Sequence, residues 1–371
     1  MGHDGSMSNR RNLSDAPFLE AAAGRTPSRR PVWFMRQAGR SLPEYREIRK
    51  DIGMLDSCFN SELLAEITMQ PVRRHDVDAA ILFSDIVVPV KAAGVDLDIV
   101  AGRGPVVAEP IRTASDIDRL PELDPATLQP VADGIAGILE ELTDRQALIG
   151  FAGAPFTLAS YLVEGGPSRN HERTKALMHS EPEQWDKLMR RITPIIIGFL
   201  RVQIEAGIDA MQLFDSWAGF LTERDYRRYV LPYSQEIFEA VADAGIPRIH
   251  FGVGTGELLG AMAEAGSEVV GVDWRVPLDA AAQRISNTLA DADPAGDRAN
   301  HARVLQGNLD PAMFFAGDAA IESEVRRICA EADRAIERGT ARGHIFNLGH
   351  GVPPNTDADA ITRTVKMVHE L

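Results

Sequence analysis

A single-domain (β/α)8 barrel is the architecture that this 371-residue sequence predicts, and three observations point to it. Eight short apolar runs recur along the chain. Longer segments of helical period lie between them, and polar, glycine-rich residues gather just after the runs. Strand and helix in alternation imply parallel pairing with right-handed crossovers, and strands without polar alternation imply burial on both faces. In a closed barrel the reactive groups come from the segments following the strand C-termini. An open doubly wound sheet is the competing arrangement.

Residues 1–14 carry no periodicity and read as a disordered lead-in, and a short helix is expected over Asp15–Gly24, so the barrel domain spans 15–371. The expected strands are Val32–Met35, Ala79–Phe83, Leu148–Phe151, Ala210–Phe214, Arg248–Phe251, Val269–Val272, Arg303–Gln306 and His344–Asn347. Helices are expected over Ser61–His75, Pro182–Ala206, Thr222–Ala244, Gly256–Ala265, Leu278–Leu289, Ile321–Arg338 and Asp357–Leu371, where apolar residues recur at helical spacing. The longest connection, Asp85 to Leu148, holds a candidate hairpin over the mouth within Val90–Glu109. Asn287–Ala302, with Asp, Pro, Gly and Asn, reads as a solvent loop.

The segments after the runs carry Arg36-Gln37, Ser84-Asp85, Gly153-Ala154-Pro155, Asp215-Ser216, Gly252 to Gly256, Asp273-Trp274, Asn308 to Asp310 and Gly349-His350-Gly351. Scattered loop polarity would not select one strand end so regularly.

Composition excludes several classes. Net charge is −15, so the overall field repels nucleic acid and anionic membrane, and a polyanionic ligand would need a local basic pocket. The only cysteines, Cys58 and Cys329, lie far apart without metal-ligand spacing, which fits a reducing, cytoplasmic setting. No run approaches the roughly 18 apolar residues of a membrane span, and the N-terminus lacks a signal-peptide core.

Pro31–Lys50 (PVWFMRQAGRSLPEYREIRK) concentrates cations, aromatics and turn formers. The run Val32-Trp33-Phe34-Met35 ends at Arg36-Gln37, Gly39 breaks the pattern, and Pro43-Glu44 suits the first turn of a helix. Residues four apart in a turn-like backbone lie about 5–6 Å from each other. Arg36 and Arg40 are therefore expected to converge on one or two anions, since a guanidinium fork matches a carboxylate. Arg46, Arg49 and Lys50 read as a solvated helix face.

This stretch resembles the N-terminal signature of the uroporphyrinogen decarboxylase family, and Gly150–Gly165 (GFAGAPFTLASYLVEG) resembles that family's second signature. The similarity runs from about Pro31 to the C-terminus. The resemblance implies an enzyme that converts four acetate side chains of a tetrapyrrole into methyls. It implies neither metal nor organic cofactor, and a homodimer with facing clefts. Carried over position by position, it assigns substrate contacts to Arg36, Gln37, Ala38, Gly39, Arg40, Asp85, Tyr161, Ser216 and His350. In the family the aspartate matching Asp85 holds the four pyrrole N–H groups.

The residues agree with that chemistry. Asp85 is a lone carboxylate among apolar neighbours, costly unless hydrogen-bond donors or a cation meet it, although it also suits a helix N-cap. Tyr161 can donate to a substrate carboxylate or to a backbone carbonyl. Ser216 reads as a donor, and His350, between glycines, as a group titrating near neutrality beside a carboxylate. Arg36 fits an anion clamp better than an acid, because its pKa lies above ~12. Gly150, Gly153 and Pro155 allow a close ligand approach or a tight turn. Gly252-Val253-Gly254-Thr255-Gly256 lacks the spacing of a dinucleotide loop. Two rival functions are a zinc-dependent methyltransferase of the same superfamily and a non-catalytic porphyrin carrier.

Overall fold

The computed structural model describes Arg11, Leu13 and residues 15–371. Seven strands, β1 (Ala79–Ile81), β4 (Ala147–Gly153), β5 (Ala210–Asp215), β6 (Arg248–Gly252), β7 (Val269–Gly271), β8 (Arg303–Gln306) and β9 (Ala341–Ile345), form one parallel sheet in that order. Strands β2 (Leu97–Val100) and β3 (Gly104–Val107) make a separate antiparallel hairpin, as expected within Val90–Glu109. It packs on the 165–167 turn, where the Val107 N–H donates to Gly165 O.

The sheet is curled, and its two faces bury different cores. Ala79, Ile81, Ala147, Ile149, Phe151, Ile249, Phe251, Val269, Val304 and Ile345 pack together inside, joined by Trp33 and Met35. The alternate residues Ala80, Leu148, Ala152, Met211, Leu213, Val270 and Leu305 belong to the outer core under the helices. That period of two, with apolar residues at both phases, explains why the strands read as unbroken apolar runs. Phe18, Ala21 and Ala22 of the helix Pro17–Ala22 complete the inner cluster. Arg342, at the start of β9, donates to Ala23 O, so this helix sits at the N-terminal ends of the strands.

The first expected strand, Val32–Met35, is reduced to a single parallel bridge between Val32 and Phe346. Segment 31–33 still bonds to residues beside both edge strands: Trp33 N–H to Phe346 O, Phe346 N–H to Pro31 O, and Asp78 N–H to Val32 O. Further along, side chains take over the ladder: Phe34 N–H donates to Gln37 Oε1 and Met35 N–H to Asn347 Oδ1.

Other departures have physical causes. The expected helix Thr222–Ala244 splits into Glu223–Tyr229, Leu231–Ala240 and a 3-10 turn, because Pro232 brings no N–H to continue the first segment. Gln129–Glu141 was expected as connection; its Gly134 is a helix contact point, where a Cβ would sit 2.7 Å from Leu64 Cδ2. The helix Pro155–Glu164 is not among the expected ones, because every residue from Pro155 to Val163 is buried and no polar face marks its period. The expected disorder over 1–14 lies mostly outside the described residues, but Arg11 is bonded to Asp209 at 2.6 Å and Leu13 is buried. No helix among the described residues is long and apolar enough to cross a membrane.

Candidate active site

The turn after Met35 is built around three positions. Arg36 lies in the left-handed region, at φ +61°. Gly39 follows because a Cβ there would stand 2.9 Å from Arg36 O. Gln37 is buried and acts as a staple, accepting from Phe34 N–H at 2.9 Å and donating to Ala79 O at 3.0 Å. The exposed Arg36 side chain runs over Gly351, where a Cβ would lie only 2.4 Å from Arg36 Cδ.

Asp85 lies four residues past β1 and is half-buried. Its Oδ1 accepts from Val87 N–H at 3.0 Å in a local Asx-type turn; Val87, not Asp85, is the N-cap of the helix Val88–Ala92, so the expected N-cap role of this carboxylate is not realised. Oδ2 accepts no hydrogen bond among the described residues. Burial pushes the Asp85 carboxyl above its ordinary range, opposed by the Val87 N–H and by the charge of Arg36.

Tyr161, near the end of the buried helix, is pushed up to about 12 by burial and by the charge of Asp85, with Arg36 acting against both. Its phenol therefore stays protonated at neutral pH and can donate. The Trp217 ring stands edge-on to it at 6.0 Å. Trp217 is fixed in turn by its N–H to Thr157 Oγ1, and Thr157 donates to the buried Asp215. Ser216, between them, is half-buried.

His350 differs from expectation. Burial, then Arg36 and Arg275, lower it to about 4, so it is neutral at physiological pH and does not titrate near neutrality. Its Nδ1 accepts from Gly351 N–H at 2.6 Å, which assigns the ring proton to Nε2 as a donor. Trp274 stands 6.3 Å from the His350 ring, and Gly349 is pressed against the Asp273-Trp274 backbone.

Arg36 is the charge common to Asp85, Tyr161 and His350, so the structure gathers these four around one part of the strand-end rim. Other expected residues stand apart from that group. The Gln37 side chain is committed to the backbone, leaving only its main chain, with Ala38 and Gly39, for a ligand. Arg40 lines an open groove with Ser41, Arg46, Arg74 and Asn355; the predicted convergence of Arg40 on Arg36 has no bond or contact to support it among the described residues. Arg49 is no solvated face residue, since it clamps Ile52 O, Gly53 O and Ser57 Oγ. Gly150 and Gly153 make room for Gln203 and Ile208, and for Ile86 and Leu158, rather than for a ligand. Sequence reasoning missed Trp217 and Arg275. Each directly follows a strand-end residue already singled out, and that adjacency was the available signal.

The profile of the uroporphyrinogen decarboxylase (URO-D) family matches residues 13–371. This chain belongs to the uroporphyrinogen decarboxylase family. The uroporphyrinogen decarboxylase of Corynebacterium diphtheriae is 69% identical over 95% of this chain and 98% of its own length. That of Rhodococcus erythropolis is 65% identical over 98% of both chains, and that of Nocardia farcinica 62% identical over 99% of both. Among solved structures, a methyltransferase from Methanosarcina mazei aligns with a TM-score of 0.76 over 97% of this chain and 98% of its own, at 17% identity. A B12-independent methionine synthase from Shewanella sp. W3-18-1 aligns at 0.53 over 84% of this chain and 87% of its own, at 10% identity. These two share the fold. Among the described residues no three His, Cys, Asp or Glu side chains are grouped to hold a metal ion.

Proposed function

We propose that this protein decarboxylates the four acetate side chains of uroporphyrinogen III, giving coproporphyrinogen III and four CO2. The observation that carries the reading is the 69% identity to a uroporphyrinogen decarboxylase across nearly both whole chains. The rim chemistry supports it independently. Losing CO2 leaves an electron pair on the acetate methylene. A proton added to the adjacent pyrrole carbon makes the ring a cation that receives this pair. Protonation of the exocyclic carbon and loss of the ring proton then give the methyl, so each turn consumes one proton and one carboxylate.

In this reading the protein's task is preorganised electrostatics. Asp85 Oδ2 accepts pyrrole N–H bonds and stabilises the ring cation. Arg36 pairs with a peripheral carboxylate, and Tyr161 and the neutral Nε2–H of His350 donate to others. Ser216 and the Gln37–Gly39 backbone complete the contacts, while Arg40, in its separate groove, takes no part in this arrangement.

We also read segment 31–33 as the eighth strand, closing one (β/α)8 domain over residues 15–371. The working assembly is a cytoplasmic homodimer, tested by sedimentation. Anaerobic incubation with reduced substrate tests the function. Stepwise appearance of seven-, six-, five- and four-carboxylate products with equimolar CO2 is expected, whereas bound substrate released unchanged would mark a carrier and refute the reading.

A further inference from the structure

We propose that Arg275 is a second cationic clamp for a substrate carboxylate, on the same rim as Arg36 and linked to it through Trp274 and the His350 turn. This rests on the reading of that rim as the site of a polycarboxylated ring.

Arg275 follows Asp273 and Trp274 beyond β7. Asp273 is almost wholly buried, and its two oxygens hold the arginine, accepting from Arg275 N–H at 2.9 Å and from Nη1 at 2.6 Å. The guanidinium carbon lies over the Trp274 ring, 4.0 Å from its centre. A stacked, once-bonded guanidinium is preorganised, so little rotamer freedom is lost when its other edge meets an anion. Nε and Nη2 make no protein hydrogen bond among the described residues, and the side chain is 51% exposed.

Its position is fixed by contacts on both sides. Trp274 neighbours both Arg275 and His350, and Gly349 packs on the Trp274 backbone. Gly351 packs on Arg36. One continuous arc therefore runs from Arg275 through Trp274 and His350 to Arg36. A ring with carboxylates along its edge spans two cations more readily than one, and a paired arginine still gives a charge-assisted bond to each further oxygen.

Steady-state kinetics with uroporphyrinogen, beside equilibrium binding of uroporphyrin by tryptophan quenching, tests the assignment. Arg275→Gln should raise KM and Kd about tenfold with kcat within about twofold, and Arg275→Lys should recover part of that loss. The double variant D273N/R275Q should keep the raised KM. Three results overturn the proposal. These are a KM within twofold of wild type in R275Q, a wild-type KM in the double variant, and a joint fall of kcat and affinity with shifted tryptophan emission that R275K does not rescue. The double-variant result would reduce Arg275 to a neutraliser of Asp273, and the last to a prop for Trp274. A wild-type protein whose binding depends on Arg275 but which releases no CO2 would instead sink the functional reading and leave this one standing.

Discussion

The two ends of the strands use the same residue types in opposite ways. At the N-terminal ends the charges are paired. Asp78 is 1% exposed and is held by Arg29 at 2.8 Å, by His369 Nε2 at 2.8 Å and by the Val32 N–H at 2.8 Å. Asp209 meets Arg11, and Arg248 meets Glu268. At the C-terminal ends Asp273 is paired with Arg275, but Arg36 has no carboxylate partner among the described residues, Asp85 keeps an oxygen free, and His350 is neutral beside two cations. A satisfied charge holds the fold, while an unsatisfied one is available to a ligand.

That contrast can be broken from either end. The largest effect is expected from Asp78→Ala, which leaves the buried Val32 N–H, the Arg29 guanidinium and the His369 ring without their shared acceptor. Urea denaturation should show a loss of about 3 kcal/mol, while turnover per folded molecule stays unchanged. Asp85→Asn keeps the shape and removes the charge. Turnover should fall at least about a hundredfold with an unchanged urea midpoint, and unaltered turnover would end the role given to Asp85.

Acid should weaken the fold through three histidines. Burial lowers His344 to about 3, and His75 and His350 to about 4. Between about pH 4 and pH 6.5 the unfolded chain binds protons that the folded chain refuses, so stability rises with pH across that window. At pH 5 each histidine should cost about 2 kcal/mol relative to pH 7, and His344→Gln should flatten the urea profile by about one such share. The smallest stability effect belongs to Arg36→Gly. Relief of the left-handed backbone, about 1 kcal/mol, should offset the added freedom of the unfolded chain. Stability should stay within about 0.5 kcal/mol while KM rises steeply, and a protein destabilised well beyond that would return Arg36 to the structural class.

Much of this was legible in the sequence, for physical reasons. Strands buried on both faces announce themselves as apolar runs, and seven of the eight lie within a few residues of their expected place. The eighth failed because side-chain amides of Gln37 and Asn347 occupy the N–H groups a ladder would have used, and nothing in an apolar run reveals that. Helices with one wet face were readable, whereas Pro155–Glu164, dry on every side, was not. In the site, Arg36, Asp85 and His350 could be named because strand ends collect them, whereas Tyr161, late in a helix, came from the resemblance to the family's second signature. The state of His350 could not, since burial lowers it first and then two cations from distant positions, Arg36 and Arg275, add to that.

The plug of Phe18, Ala21 and Ala22 beneath the filled inner cluster has one more implication. Among the described residues, aromatic and aliphatic side chains fill this floor, at the strand ends away from Arg36. Whatever reaches Arg36 therefore enters and departs by one doorway, and the gas made at each step shares it with the ring that must be turned to present its next arm.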